Sequence, residues 1–262
     1  MHRVSIHGGP AAFLERAEPW LLEREDVNNL VLSLAYARAS VSAEALFATV
    51  ERGDRVLGCV VRTPPHKVLI TDMPTDAAPL VAGALAGRYE SIPAVLGPEA
   101  VATAVARSWV GLRGGRTRPG MRQRIYRLDS VSPPSGVAGR LRLATPDDID
   151  LAATWGRRFA EDTGVVFDRP REVVARWVEA GVLFLWEDDG APCSIAVASG
   201  RTPRGVRVGY VYTPPEQRRS GYASACVAAV SQHLLDDGFD FCVLYTDLGN
   251  PTSNAIYRRV GY

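Results

Sequence analysis

The chain has 262 residues, 47% of them apolar and 23% charged, with a formal charge of +1. Such a composition excludes a disordered or fibrous chain, and the near-neutral balance gives no reason to expect a polyanionic partner such as duplex DNA. Met1–Pro10 lacks the apolar run of a signal peptide, and no run of 18 or more apolar residues could span a bilayer.

In chain order, the first half predicts helices at about 10–24 and 43–52, and strands at 55–62 (RVLGCVVR) and 67–73 (KVLITDM). A helix at 77–87, a strand at 94–97, a helix at 98–110 and a strand at 122–129 follow. The segment SVSPPSGVAGR, 130–140, is rich in Pro and Gly and reads as a linker.

Past the linker, RLRLAT (140–145) predicts a strand. Thr145-Pro146-Asp147-Asp148 then predicts a helix start, with Thr145 as N-cap, Pro146 at the first helical position and Asp148 closing the box. That helix runs through Phe159, and a second covers about 170–180, ended by Gly181. Strands are expected at 182–188, 193–200 and 206–213, the first two joined by an Asp-Asp-Gly turn. Ala223, Cys226, Val227, Val230 and Leu234 recur at helical spacing up to Gly238. FCVLYT (241–246) reads as a strand buried on both faces, and 253–260 as a short helix ending at Gly261. The order is β-α-α-β-β-β-α-β-α, and the first half gives a weaker version of it. The fold class is therefore mixed α/β (α+β), a mixed sheet in each of two tandem units: 1–130, a linker at 131–139, and 140–262. The repeated Thr-Pro-Pro at 63–65 and 213–215 follows different strands and is a coincidence.

Cys59, Cys193, Cys226 and Cys242 each lie in apolar surroundings and read as buried reduced thiols, which points to the cytoplasm. His2, His7, His66 and His233 form no metal-ligand spacing, so no metal is expected. The basic run RGGRTRPGMRQRIYR (113–127) has no interleaved aromatic platform and reads as a solvated strand face. Lys67 is the single lysine among 30 basic side chains, so extensive self-acetylation is not expected.

The segment VYTPPEQRRSGYASA (211–225) carries the strongest chemical signal. A strand stops at a double proline, a short basic loop follows, and Gly221 opens an Ala-rich helix. The first amides of a helix lack internal partners and attract anions, phosphates above all. Gly221 permits close backbone approach, and Arg218 and Arg219 add bidentate positive charge. Downstream stands LYTDLGNPTSNAIYRRVGY (244–262).

Together these two segments resemble the GCN5-related N-acetyltransferases (GNAT). That family's phosphate loop, Gln/Arg-x-x-Gly-x-Gly/Ala, is matched by Arg218-Arg219-Ser220-Gly221-Tyr222-Ala223. Its Asn-x(6)-Tyr-x(3)-Gly-Phe/Tyr stretch is matched by Asn250, Tyr257, Gly261 and Tyr262. The resemblance covers about 140–262. It implies the acyl-CoA N-acyltransferase fold, with acetyl-CoA as co-substrate and a primary amine of a small molecule or peptide as acceptor, attacking directly in a ternary complex. The strand end Val211-Tyr212-Thr213 is then the one that splays from its neighbour to pair with the pantetheine arm, with a backbone N–H near Val211 or Tyr212 for the oxyanion. The amides of Arg219, Gly221 and Ala223 would cradle the pyrophosphate, and Asn250 would contact the cofactor arm. Tyr257 would donate a proton to the departing thiolate, which suits a phenol that titrates near ~10.

An alkylammonium must lose a proton before it attacks, yet strand 206–213 carries no Asp or Glu. Glu161 and Asp162 lie where this family builds the acceptor site; either binds the ammonium or passes a proton through water, or the two form a solvated pair at a helix end. Glu216, beside the loop, is expected to face solvent or pair with an arginine. The first half has PTDAAP (74–79) where the loop would stand, so it is expected to be a degenerate GNAT-like unit that binds no CoA. The family fold continues past the Gly-Tyr with further strands. Here strand 241–246 would be left with an open edge, unless the chain is truncated or a strand from the first half fills the gap. Two alternatives stay open: a non-catalytic acyl-CoA-binding or regulatory module, and an aminoacyl- or peptidyl-acceptor transferase. No nucleic acid or membrane partner is expected, and a homodimer is left open.

Overall fold

The hydrophobic patterns resolve into eleven strands and eight helices in the computed structural model, which describes residues 1–37 and 42–262. The chain divides into two units, Met1–Gly120 and Met121–Tyr262. The first runs β1 (Arg3–Ile6), α1 (Pro10–Leu22), α2 (Glu25–Tyr36), β2 (Leu46–Arg52), β3 (Arg55–Arg62), β4 (Val68–Ile70), α3 (Ala78–Ala86), β5 (Val95–Leu96) and α4 (Glu99–Arg113). Its sheet has the order β1-β2-β3-β4-β5, antiparallel except for the parallel β4–β5 pair. One face packs Leu46, Ala48 and Val50 under α3 and α4; the other packs Phe47, Val61 and Leu69 under α1 and α2.

The second unit runs β6 (Gln123–Leu128), β7 (Arg140–Leu143), α5 (Ile149–Thr163), α6 (Pro170–Glu179), β8 (Leu183–Asp188), β9 (Ala191–Ser199), β10 (Gly205–Tyr212), α7 (Tyr222–Asp236), β11 (Phe241–Asp247) and α8 (Pro251–Val260). Its sheet has the order β6-β11-β10-β9-β8-β7, and only β10–β11 is parallel. Cys226, Val227 and Val230 of α7 cover one face, against Val206, Val208 and Cys242. Trp155 of α5 and Val174 of α6 cover the other, against Leu185, Ile195 and Val197. The expected start of α5 is present: the Thr145 N–H and hydroxyl both donate to Asp148 Oδ2, at 2.7 and 3.0 Å.

Three expectations are corrected. The segment read as a helix at 43–52 holds β2, whose side chains are buried on both faces, so packing overrides the helix preference of Ala, Leu and Glu. The helix at 10–24 is the first of two, and β1 and α2 were not anticipated. The strand at 122–129, assigned above to the first unit, is β6. It pairs antiparallel with β11 from Leu128↔Cys242 to Gln123↔Asp247 and covers the edge that would have stood open. The unit boundary therefore falls after Gly120 and not at 130. Residues 131–139 are not a free linker. Val131 and Val137 pack on the second unit's core, Ser132 N–H donates to Val260 O at 2.8 Å, and Trp186 Nε1 donates to Ala138 O at 2.9 Å.

Candidate active site

The parallel ladder between β10 and β11 lasts only from Gly205↔Phe241 to Arg207↔Val243. Beyond it β10 stays paired with β9 as far as Tyr212↔Ile195, and β11 stays paired with β6 as far as Asp247↔Gln123. The two inner edges, from Val208 on one arm and Leu244 on the other, have no strand between them and form a wedge. A bulge accompanies the divergence: Tyr210 and Val211 together oppose Ala196. Tyr210 holds a left-handed φ of 50°, while its neighbour Gly209, the residue that would take that conformation without strain, does not. Such a backbone costs about 1–3 kcal/mol. Against it stand three ring contacts to the Tyr210 ring, from Trp177 (4.7 Å between centroids), Phe159 (5.0 Å) and Phe167 (5.3 Å). Each such contact is worth roughly 0.5–1.5 kcal/mol, so the set can offset the strain. Phe167 fits because residue 156 is glycine; a Cβ there would lie 2.3 Å from the ring. At the end of β10, buried Ser194 donates to Tyr212 O at 3.1 Å and shares a hydrogen bond with Thr213 Oγ1 at 2.9 Å.

The chain then turns through Pro215–Gln217 into the loop Arg218–Gly221. Arg219 (φ 71°) and Gly221 (φ 84°) are both left-handed, a curvature that gathers successive backbone N–H groups on one side. Gly221 is the N-cap of α7, and no side chain caps this helix. The amides of Tyr222, Ala223 and Ser224 therefore face outward with the positive end of a four-turn helix. A Cβ at residue 221 would also lie 2.8 Å from Val137 Cγ2, so glycine is required twice over. Arg218 donates through Nε to Thr213 O at 3.0 Å and forms an ion pair with Asp162 at 3.0 Å. Arg219, Ser220 and Glu216 are exposed, Glu216 as anticipated. The Tyr222 hydroxyl donates to Asp188 at 2.6 Å; that carboxylate pushes the phenol up to about 12 and ties the first turn of α7 to the β8–β9 hairpin.

The other arm of the wedge leads from Asp247 into α8. Asn250 is the N-cap: its Oδ1 accepts from Ser253 N–H at 3.0 Å, and the residue is exposed. Tyr257 packs edge-on to Tyr262, with centroids 6.1 Å apart, against the core beneath α7. Burial pushes its phenol up to about 12. No hydrogen bond to its hydroxyl is found among the described residues.

Residues 152–262 match the family model described as the acetyltransferase (GNAT) family. The second unit carries a GNAT-family acetyltransferase domain. Over the whole chain, two solved structures share the fold. One is an acetyltransferase from the GNAT family of Colwellia psychrerythraea (TM-score 0.63, 9% identity, covering 99% of this chain and 95% of that one). The other is a Drosophila protein (TM-score 0.63, 13% identity, covering 99% and 94%). No curated protein sequence matches the chain.

Within the GNAT domain, the predicted residues fall on both arms of the wedge. Val211, Tyr212 and Thr213 end β10, residues 218–223 form the loop and helix start, and Asn250 and Tyr257 stand on α8. On the α5 side, Asp162 is joined to Arg218, while Glu161 is exposed. Three site residues escaped the sequence reading. Tyr210 and Ser194 shape the end of β10. Buried Asn254 donates to Asp247 O at 2.8 Å and Asn250 O at 2.7 Å and accepts from the Tyr126 hydroxyl at 3.2 Å, so it pins β11, α8 and β6 together. Only Asn254, a buried polar residue on a helix face that is otherwise apolar or charged, left a signal that could have been found.

Proposed function

We propose that the GNAT domain transfers the acetyl group of acetyl-CoA to a primary amine of a small molecule or peptide, by direct attack in a ternary complex. The observation that carries this reading is the wedge with an uncapped, doubly left-handed loop at its end. A narrow arm fits between β10 and β11, and an anion fits on the α7 amides beside Arg218 and Arg219. Acetyl-CoA supplies an activated acyl group; the rest falls to the chain. Main-chain groups of Val211–Thr213 other than the carbonyls held by Ser194 and Arg218 take the arm, and an N–H of Val211 or Tyr212 stabilises the developing oxyanion. The exposed side chain of Asn250 contacts the arm. Tyr257, protonated throughout the neutral range and without a hydrogen-bond partner among the described residues, gives its proton to the departing thiolate. No carboxylate lies on β10, so the amine loses its proton to water or to exposed Glu161, while Asp162 is held by Arg218. The first unit binds no CoA. The protein acts in the cytoplasm with its four buried thiols reduced.

The lack of a carboxylate on β10 favours, as a second reading, an acyl-CoA-binding module without turnover. Thiol release from acetyl-CoA across a panel of amines, run beside calorimetric CoA binding, separates the two. Turnover with at least one amine is expected. Tight CoA binding with no turnover by any amine establishes the module instead, and absence of binding overturns both.

A further inference from the structure

We infer that Tyr210 is a positioning residue for acyl transfer: its ring, clamped between α5 and α6, holds the backbone turn that aims an amide of β10 into the wedge. The inference rests on the acetyl-CoA reading above. The bulge places the left-handed residue on a tyrosine although a glycine stands next to it, so the conformation is imposed by the side chain and not permitted by its absence. The clamp comes from three separate places. Phe159 is on the last turns of α5, Phe167 is in the connection to α6 and stacks on Trp177 (5.6 Å, 21°), and Trp177 is on α6. Gly156 and Phe167 interlock to keep the connection in place. Just past the bulge, Tyr212 packs its own ring on Trp155 at 6.2 Å, and its carbonyl is tied to Ser194. The backbone from Tyr210 to Tyr212 is thus fixed from the α5–α6 face, and the four rings around Tyr210 and Tyr212 lie outside the phosphate loop, which meets this segment through Arg218 over the Tyr212 ring at 5.8 Å.

The consequence is a separation of roles. Loss of the clamp should leave the anion loop intact and let the amide swing away from the acyl carbonyl. The test needs no acceptor. The carbonyl stretch of 13C-acetyl-labelled acetyl-CoA is recorded by isotope-edited infrared spectroscopy, free and bound to the full chain, with calorimetric affinity in parallel. The unaltered protein should lower the stretch, as a hydrogen bond to the oxygen does. Tyr210→Phe, which keeps the ring, should keep that shift. Tyr210→Ala and Trp177→Leu should return the stretch to its free value, with affinity within about threefold of the original. If Tyr210→Ala does not fold, Trp177→Leu, which leaves β10 unaltered, decides alone. An unaltered shift in the clamp variants overturns the proposal, as does bound acetyl-CoA with an unshifted carbonyl in the parent protein. Absence of acetyl-CoA binding by the parent overturns the donor reading itself, and the inference with it.

Discussion

The two units run through one order of elements: β1-α1-α2-β2-β3-β4-α3-β5-α4 in the first and β7-α5-α6-β8-β9-β10-α7-β11-α8 in the second. Even an ion pair repeats. Arg3 on β1 faces Glu51 on β2 at 2.5 Å, and Arg140 on β7 faces Glu187 on β8 at 3.1 Å, each at the same register position of the outer ladder. Two residues on, Ser5 and Arg142 bond to the same two carboxylates. The units part where the parallel pair begins. In the first, Gly97 lies so close to Ile70 that a Cβ would stand 2.4 Å from it, and the end of the β4–β5 pair is closed. No left-handed residue precedes α3, and its lead-in carries Asp76 where the second unit has arginines. In the second, a bulge and a clamped tyrosine hold the corresponding strands apart. A shared topology is therefore compatible with a closed or an open parallel pair. What opens it is one extra residue on β10 and two left-handed residues before α7.

This contrast can be broken at graded points. The largest effect is expected from Tyr257→Phe, which removes the proposed proton donor: kcat should fall about 10²–10⁴-fold with acetyl-CoA affinity unchanged, measured with an amine that supports thiol release. Because the phenol is pushed up to about 12, any alkaline limb of the rate profile well below that pH must belong to another group. Gly221→Glu places a charge and a Cβ where neither fits. Loss of two charge-assisted contacts should weaken CoA binding on the order of 100-fold by calorimetry. Asp76→Asn, at the corresponding lead-in of the first unit, should leave binding unchanged.

A third point concerns stability. Burial alone would raise the Glu51 carboxyl, but hydrogen bonds from Arg3, Thr49 and Arg16 outweigh it and hold the group at about 2. A depressed carboxyl stabilises the fold above its unfolded pKa and loses that contribution as pH falls through the folded value. Glu51→Gln should therefore cost roughly 2–3 kcal/mol at neutral pH in denaturant titrations, and little near pH 2. The smallest effect is expected from Ser194→Ala. It removes the bond to Tyr212 O at a cost of about 1 kcal/mol, with a rise in KM for acetyl-CoA as the readout of a loosened strand end.

What could be read from the residues was local chemistry. Thr145, Pro146 and Asp148 announce the start of α5 because a cap is built within four positions, and Gly221 after a basic loop announces the start of α7 for the same reason. The failures are non-local. β2 looks helical because its composition is, and only two covering helix layers make it a strand. Tyr210 is invisible beside Gly209, because its backbone is set by rings arriving from α5 and α6. β6 was given to the wrong unit since nothing near it in sequence names its partner on β11. Charge arithmetic, near zero throughout, is silent on the proposed anion site, which draws on two arginines and a helix end.

That last strand has a kinetic consequence. β6 is synthesised before β7, yet among the described residues its ladder is with β11 alone, so Leu128 must wait for Cys242 to emerge. The first unit can complete its own sheet during this interval, while β6 remains an unpaired, arginine-bearing ribbon. Closure of the second sheet is then a long-loop event, slow by its separation in sequence, and the wedge between β10 and β11 is completed only with it.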